Sequence, residues 1–252
     1  MKRFFKGFYM TLGMFCAVPL PRLTWDDSCL DLVLCCLPVA GALIGALWWG
    51  LAWLLRLSHL HIMLKAAILT VAPFLLTGFL HLDGYLDTSD AVLSRRPLEE
   101  KLRILKDPHK GAFAVAMATV LFVLQFAAVY AAIDGGQKPA PLILIAVISR
   151  CCAALSLLCL KAMPQSGYAN MFKQHTGPPH RVFLIVFTTA TIAVSYPLAG
   201  LPGLAAVLAA VACFVGAMAY AYKEFKGVSG DLAGFALVAG ELGGLVAWGV
   251  IR

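Results

Sequence analysis

Long apolar runs at 32–55, 61–80, 112–133, 141–160, 182–199, 203–222 and 232–251 constrain the fold of this chain more than any other feature. A helix needs about 20 residues to cross the hydrocarbon core of a bilayer, and each run is close to that length. Inside lipid every backbone polar group must be satisfied within the segment, so the runs are expected to be helices rather than strands with open edges. The brief connections at Leu57–Leu60 and Gly200–Pro202 make the helices they join antiparallel neighbours. The expected fold is therefore all-α, a polytopic integral membrane helical bundle with about seven transmembrane helices.

Composition supports a membrane domain over a soluble one. Of the 252 residues, 61% are hydrophobic and 13% charged, whereas soluble domains carry about 25% charged residues. One membrane-embedded domain spanning 1–252 is the economical division. The net charge of +7 does not indicate nucleic acid, because the basic residues fall in short segments between apolar runs rather than along one face. Lipid is the expected surrounding. The oligomeric state is left open, a homo-oligomer being compatible with the sequence. The eight cysteines lie mostly within apolar runs, with no Cys-x-x-Cys pair, and read as small buried hydrophobes. The N-terminal stretch MKRFFKGFYMTLGMFCAVPLPRL has a basic start and crowded aromatic residues but no small-x-small cleavage site. It is expected to be an uncleaved interfacial or re-entrant helix.

The lysines and arginines alternate from loop to loop. Lys2, Arg3, Lys6 and Arg22, the loop 81–111, Lys161, Lys173, Arg181, Lys223 and Lys226 fall on one side; Arg56, Lys65, Lys138 and Arg252 fall on the other. The positive-inside rule then places the N-terminus in the cytoplasm and the C-terminus outside. The polar loops 81–111, 161–181 and 223–231 share the cytoplasmic face. Two ionisable residues, Arg150 and Glu241, remain within spans. Charge in lipid is costly, so both are candidates for a functional role, with a buried structural pairing as the rival.

The most specific motif is His81-Leu82-Asp83-Gly84-Tyr85-Leu86-Asp87-Thr88-Ser89-Asp90-Ala91. On a helix Asp83, Asp87 and Asp90 fall at i, i+4 and i+7 along one stripe. Like charges on one stripe repel and call for a cation. Hard carboxylate oxygens suit Mg²⁺, which is usually held by one or two carboxylates together with phosphate oxygens and water. His81 points away from the stripe as a boundary residue. Further on, 98–106 fits a short amphipathic helix, after which Lys106 and Asp107, then Lys110 and Gly111, form a candidate cradle for a second phosphate. The run Gly227-Val228-Ser229-Gly230-Asp231 opens the last span. Its glycines allow close backbone approach and its helix start offers free amides to an anion, while Ser229 or Asp231 also suits a plain helix cap.

HLDGYLDTSDA, then LKDPHKGAF, then VSGDLAGF with the later Glu241, resemble the cobalamin synthase family, the adenosylcobinamide-GDP ribazoletransferases. The resemblance covers nearly the whole chain, including LPVAGALIGALWW, Arg150 and Gly167–Phe172. It implies an enzyme in which a ribose hydroxyl of α-ribazole, or of its 5′-phosphate, attacks the cobinamide-linked phosphorus of adenosylcobinamide-GDP and expels GMP, with Mg²⁺ required. By that resemblance Asp83, Asp87 and Asp90 are catalytic and hold Mg²⁺, and Lys106 and Asp107 match a catalytic Lys-Asp pair. Ser229, Gly230 and Asp231 line the substrate site, and His109, Lys110, Arg150 and Glu241 are further substrate-binding candidates. Pro108 and His109 replace a small polar residue and an arginine common in the family, and Pro164-Gln165-Ser166 replaces another arginine, so Lys110 or Lys173 is expected to take over those anion contacts. Such phosphoryl chemistry needs positioning and charge neutralisation more than covalent help. The general base is open between a metal-free aspartate and His109. Rival readings are a CDP-alcohol phosphotransferase, which would carry an Ala-Arg pair absent here, a UbiA-like prenyltransferase, which would need a second Asp-rich motif, and a non-enzymatic transporter.

Overall fold

The computed structural model describes residues 2–17, 19–20 and 25–251. Arg22 and Arg252 of the charge partition, and positions 1, 18 and 21–23 of the N-terminal stretch, lie outside the described residues. The chain is helical in the order α1 (Lys2–Phe15), a 3₁₀ turn at Asp27–Cys29, α2 (Leu30–Leu57), α3 (Ile62–Leu76), α4 (Leu80–Leu93), α5 (Leu98–Ile104), α6 (Ala112–Asp134), α7 (Pro141–Cys159), α8 (Gly167–His175), α9 (Pro178–Phe225) and α10 (Gly230–Val250). Among the described residues the only β pairing is an isolated bridge between Ala162 and Val228.

Five helices are long and apolar enough to cross a membrane, and six if the bent pair α3–α4 forms one broken span. The expected run 61–80 thus becomes a 15-residue helix followed by a bend of 92°. The two expected spans 182–199 and 203–222 fall within α9, which breaks at Gly200, where φ is 65° and ψ −159°. Pro197 and Pro202 flank the break and remove helical amide donors there. A straight helix would hold Thr188 and Val211 roughly 34 Å apart, yet both line one cavity against α7. The segment therefore folds back on itself at Gly200.

The bundle centres on α7, whose most apolar window is 83% buried, against 22% for α6. Small residues set the close approaches. A Cβ on Gly41 would stand 2.6 Å from the Ala146 carbonyl oxygen and one on Gly45 2.7 Å from Ile143 Cα, so the GAxxG-type face of α2 packs directly on the α7 backbone. None of the eight cysteines forms a disulfide; Cys29, Cys35, Cys36, Cys151 and Cys152 are buried as expected, Cys16 is partly buried, and Cys159 and Cys213 are exposed.

The loops sort into two ends. At one, the Met163 amide donates to Val228 and the Val228 amide to Lys161, at 3.0 and 2.8 Å, Lys101 pairs with Glu224, and Arg3 and His180 both meet Asp31. At the other, Gln137 donates to the Ile251 carbonyl at 2.6 Å, and Lys65 to the Ser58 carbonyl at 2.9 Å. The polar loops 93–111, 160–177 and 226–229 share one end, as the lysine and arginine partition anticipated. The N-terminal helix α1 is tied to this arrangement by Lys6 Nζ, 2.5 Å from Asp26, and by the Ala17 amide, which donates to the last-turn carbonyl of α3 at Leu76.

Candidate active site

The break before α4 is made by two consecutive residues in the left-handed region, Gly78 (φ 59°) and Phe79 (φ 61°). Glycine adopts this conformation freely, whereas for phenylalanine it is strained. Thr77 adds to the turn by donating its hydroxyl back to the Pro73 carbonyl at 2.9 Å. The new helix α4 carries Asp83, Asp87 and Asp90 as the sequence spacing required.

Helix α10 meets α4 through glycine. A Cβ on Gly84 would lie 2.8 Å from the Asp231 carbonyl oxygen, and one on Gly234 3.2 Å from that of His81. Tyr85 and Phe235 stack beside this contact with ring centroids 5.5 Å apart. Ser229 caps α10, its hydroxyl accepting the Leu232 amide at 3.3 Å. The first turn of α10 thereby sets Asp231 within electrostatic reach of Asp83 and Asp87.

Lys110 completes the group. Its ammonium lies 2.8 Å from Asp83 Oδ1 and also pairs with Asp87. Partial burial works against its charge, but the hydrogen bonds it donates to the two aspartates outweigh this and hold its pKa above the ordinary lysine value. Asp83 is exposed and Asp87 mostly covered, at 62% and 14% of their side-chain surface. One face of the pair is thus open to solvent while the other is shielded.

The stripe of three aspartates is divided. Asp90 accepts the Gly111 amide at 2.9 Å and the Ala114 amide at 3.3 Å, so its carboxylate is committed to the start of α6. Among the described residues no three His, Cys, Asp or Glu side chains come together as a group able to hold a metal. Asp83 and Asp87 nonetheless surround a cation, the Lys110 ammonium. Two carboxylates open to solvent on one side are the donor set that Mg²⁺ uses when phosphates and water fill its remaining positions.

The other candidates separate into two places. The Asp107 carboxylate is turned to its own loop, where the His109 amide and then the His109 ring hydrogen-bond it and hold its pKa below the usual carboxylate range. Lys106 is exposed beside it. Lys173 donates to the Leu160 carbonyl at the end of α7 instead of standing free as an anion contact. Arg150 and Glu241 pair with each other deep in the bundle, 1% and 5% exposed, with Ser149 3.0 Å from the guanidinium and 3.2 Å from the carboxylate. The fold joins these two as a buried ion pair and does not bring them to the aspartates.

His81, read from sequence as a boundary residue, is 8% exposed and stacked on Phe15 at 6.2 Å between centroids. It lines a cavity of about 320 Å³ together with Phe15, Leu157 and Phe172 among others, and Gly230 and Asp231 in the same lining are exposed. The signal for this cavity was present in the aromatic residues of the N-terminal segment and of the 167–172 loop, but nothing in their spacing shows that they meet.

The sequence pattern of the cobalamin-5-phosphate synthase family matches residues 7–249. Among similar curated proteins, the adenosylcobinamide-GDP ribazoletransferase of Clostridium botulinum (strain Alaska E43 / Type E3) is 37% identical over 97% of this chain and 97% of its own length. That of Clostridium perfringens (strain ATCC 13124) is 37% identical over the full length of both. That of Geobacillus kaustophilus is 30% identical over the full chain and 97% of its own. No solved structure matches. The match over residues 7–249 and the relatives aligned along nearly the whole chain show that it belongs to the cobalamin-5-phosphate synthase family.

Proposed function

We propose that this chain is an adenosylcobinamide-GDP ribazoletransferase of a bacterial cytoplasmic membrane, working on its cytoplasmic face. The observation that carries the reading is the Lys110 ammonium held between Asp83 and Asp87, with Asp231 alongside. The loop partition, with Lys and Arg concentrated at the end that holds these residues, supports the sidedness.

In the reaction, a hydroxyl oxygen of α-ribazole or its 5′-phosphate forms a bond to the cobinamide-linked phosphorus of adenosylcobinamide-GDP. The bond from that phosphorus to the bridging oxygen breaks, GMP leaves with that oxygen, and the hydroxyl proton passes to a base. Asp83 and Asp87 would hold Mg²⁺, which when bound supplies neutralisation of charge on the diphosphate. Lys110 moves from the carboxylates to the phosphate oxygens as the substrate arrives. Lys106 stands on the adjoining loop as a second cationic contact. Asp231, in the exposed part of the cavity lining and next to the aspartate pair, accepts the hydroxyl proton, whereas His109 is engaged with Asp107 and faces solvent. Arg150 and Glu241 support the site from within the bundle.

The test is to incubate protein reconstituted in liposomes with adenosylcobinamide-GDP, α-ribazole and Mg²⁺ and to follow GMP. Release that requires all three is expected. No release under any lipid condition would overturn the assignment.

A further inference from the structure

The cavity behind Asp231 differs in character from the aspartate face. Phe15, Leu157 and Phe172 give it apolar and aromatic walls, and the exposed Gly230 and Asp231 give its lining a polar, solvent-facing part. His81 lies within it, more than nine-tenths buried, and the His81 Nε2 has no hydrogen-bond partner. Buried polar atoms are nearly always satisfied, so the unpaired imidazole of a cavity-lining histidine is free to hydrogen-bond a ligand in that space once the ring turns a nitrogen toward it.

Building on the transferase reading, we propose that this cavity seats the flat aromatic base of the ribazole nucleoside, with His81 as its hydrogen-bonding wall. Size excludes the corrin ring of the other substrate, and a guanine seated in the same place would show itself as a raised KM for adenosylcobinamide-GDP. About 320 Å³ is at the small end of ligand sites; it admits a bicyclic base and excludes a corrin ring with its side chains. Chemistry agrees, because an aromatic base offers two apolar faces to Phe15 and Phe172 and ring nitrogens to an imidazole. Direction agrees as well. With the base inside, the sugar emerges at Gly230 and Asp231, beside Asp83 and Asp87, where its hydroxyl meets the diphosphate. Helices α1 and α8 then form part of the nucleoside site, which gives the N-terminal helix a role in binding.

The test measures equilibrium binding of α-ribazole to the full chain in lipid nanodiscs, and the KM for each substrate, in wild type, His81→Phe and Ala153→Leu. Ala153 also lines the cavity, so its enlargement narrows the space while leaving His81 in place, and it keeps the test decisive if His81→Phe does not fold. Both variants are expected to weaken α-ribazole about tenfold or more while the KM for adenosylcobinamide-GDP moves by less than about twofold. No α-ribazole binding to wild type, unchanged binding in both variants, or equal weakening of both substrates would overturn the pocket. GMP release with unaltered α-ribazole affinity in the variants would remove the pocket and leave the transferase. Nucleoside binding that depends on His81 without any GMP release would do the reverse.

Discussion

The Asp90 carboxylate accepts the Gly111 amide at 2.9 Å, which makes the last aspartate of the α4 motif the N-terminal cap of α6. A negative group there satisfies otherwise unpaired amides and faces the positive end of the helix dipole. Asp90→Ala is expected to destabilise the protein by about 1 kcal/mol, and Asp90→Asn by less, because the amide oxygen still accepts. Thermal unfolding in detergent reads both. A wild-type melting temperature combined with a rate loss as deep as that of Asp83→Ala would place Asp90 on the substrate instead.

Asp83 and Asp87 have no such backbone duty; their partner is Lys110. Asp83→Ala or Asp87→Ala is expected to lower GMP release by roughly 10²–10³, the scale of lost electrostatic stabilisation at a reacting centre. The variants should still insert and resist protease like wild type. Chelation of Mg²⁺ should stop the wild-type reaction, and added Mg²⁺ should restore it. Release that survives both treatments would remove the pair from the chemistry.

Lys110 lies between Asp83 and Asp87, where the proposed Mg²⁺ would bind, so the two would compete. Lys110→Met is expected to lower kcat while reducing the Mg²⁺ concentration needed for half-maximal rate. The charge is not a pH switch. A lysine whose folded pKa is raised contributes fully below the ordinary value of 10.5 and loses that contribution only as pH climbs through the folded value. The stability difference between wild type and Lys110→Met should therefore stay flat from neutral pH to about 9. A change across that interval, followed by urea unfolding at each pH, would contradict the pairing.

The helices and the polar end of the bundle were legible because hydrophobic length and lysine placement are local properties of the sequence. So was the stripe of Asp83 and Asp87, which needs only helical periodicity. The division of Asp90 from that stripe was not, because it depends on Gly111, 21 residues further on, arriving ahead of α6. The cavity around His81 was hidden for the same reason: Phe15, His81 and Phe172 come from three separate segments. Arg150 and Glu241 stood out from sequence as charges within spans, but only the packing of α7 on α10 shows that each is the partner of the other.

That partnership leads to a double-mutant test. With Arg150 and Glu241 both buried, removing one leaves an uncompensated charge in the bundle core. Arg150→Met or Glu241→Gln alone is expected to cost about 3–5 kcal/mol. The double variant should recover much of that loss, seen as a partial return of melting temperature. Additive losses would mean that the two side chains act independently, with Arg150 then available to substrate.

Gly84 provides the sharpest control on site geometry. Any side chain there meets the Asp231 backbone, with a Cβ 2.8 Å from its carbonyl oxygen and 2.9 Å from its Cα, and neither atom can swing aside as a flexible side chain would. Gly84→Ala must therefore part α4 from α10, at a cost of about 1–3 kcal/mol, and carry Asp231 away from Asp83 and Asp87. Gly216→Ala adds the same methyl group to α9 where nothing lies within 4 Å. GMP release is expected to fall steeply in the first variant and to remain at the wild-type rate in the second. Equal rates in the two would show that the reaction does not depend on how closely Asp231 approaches the aspartate pair.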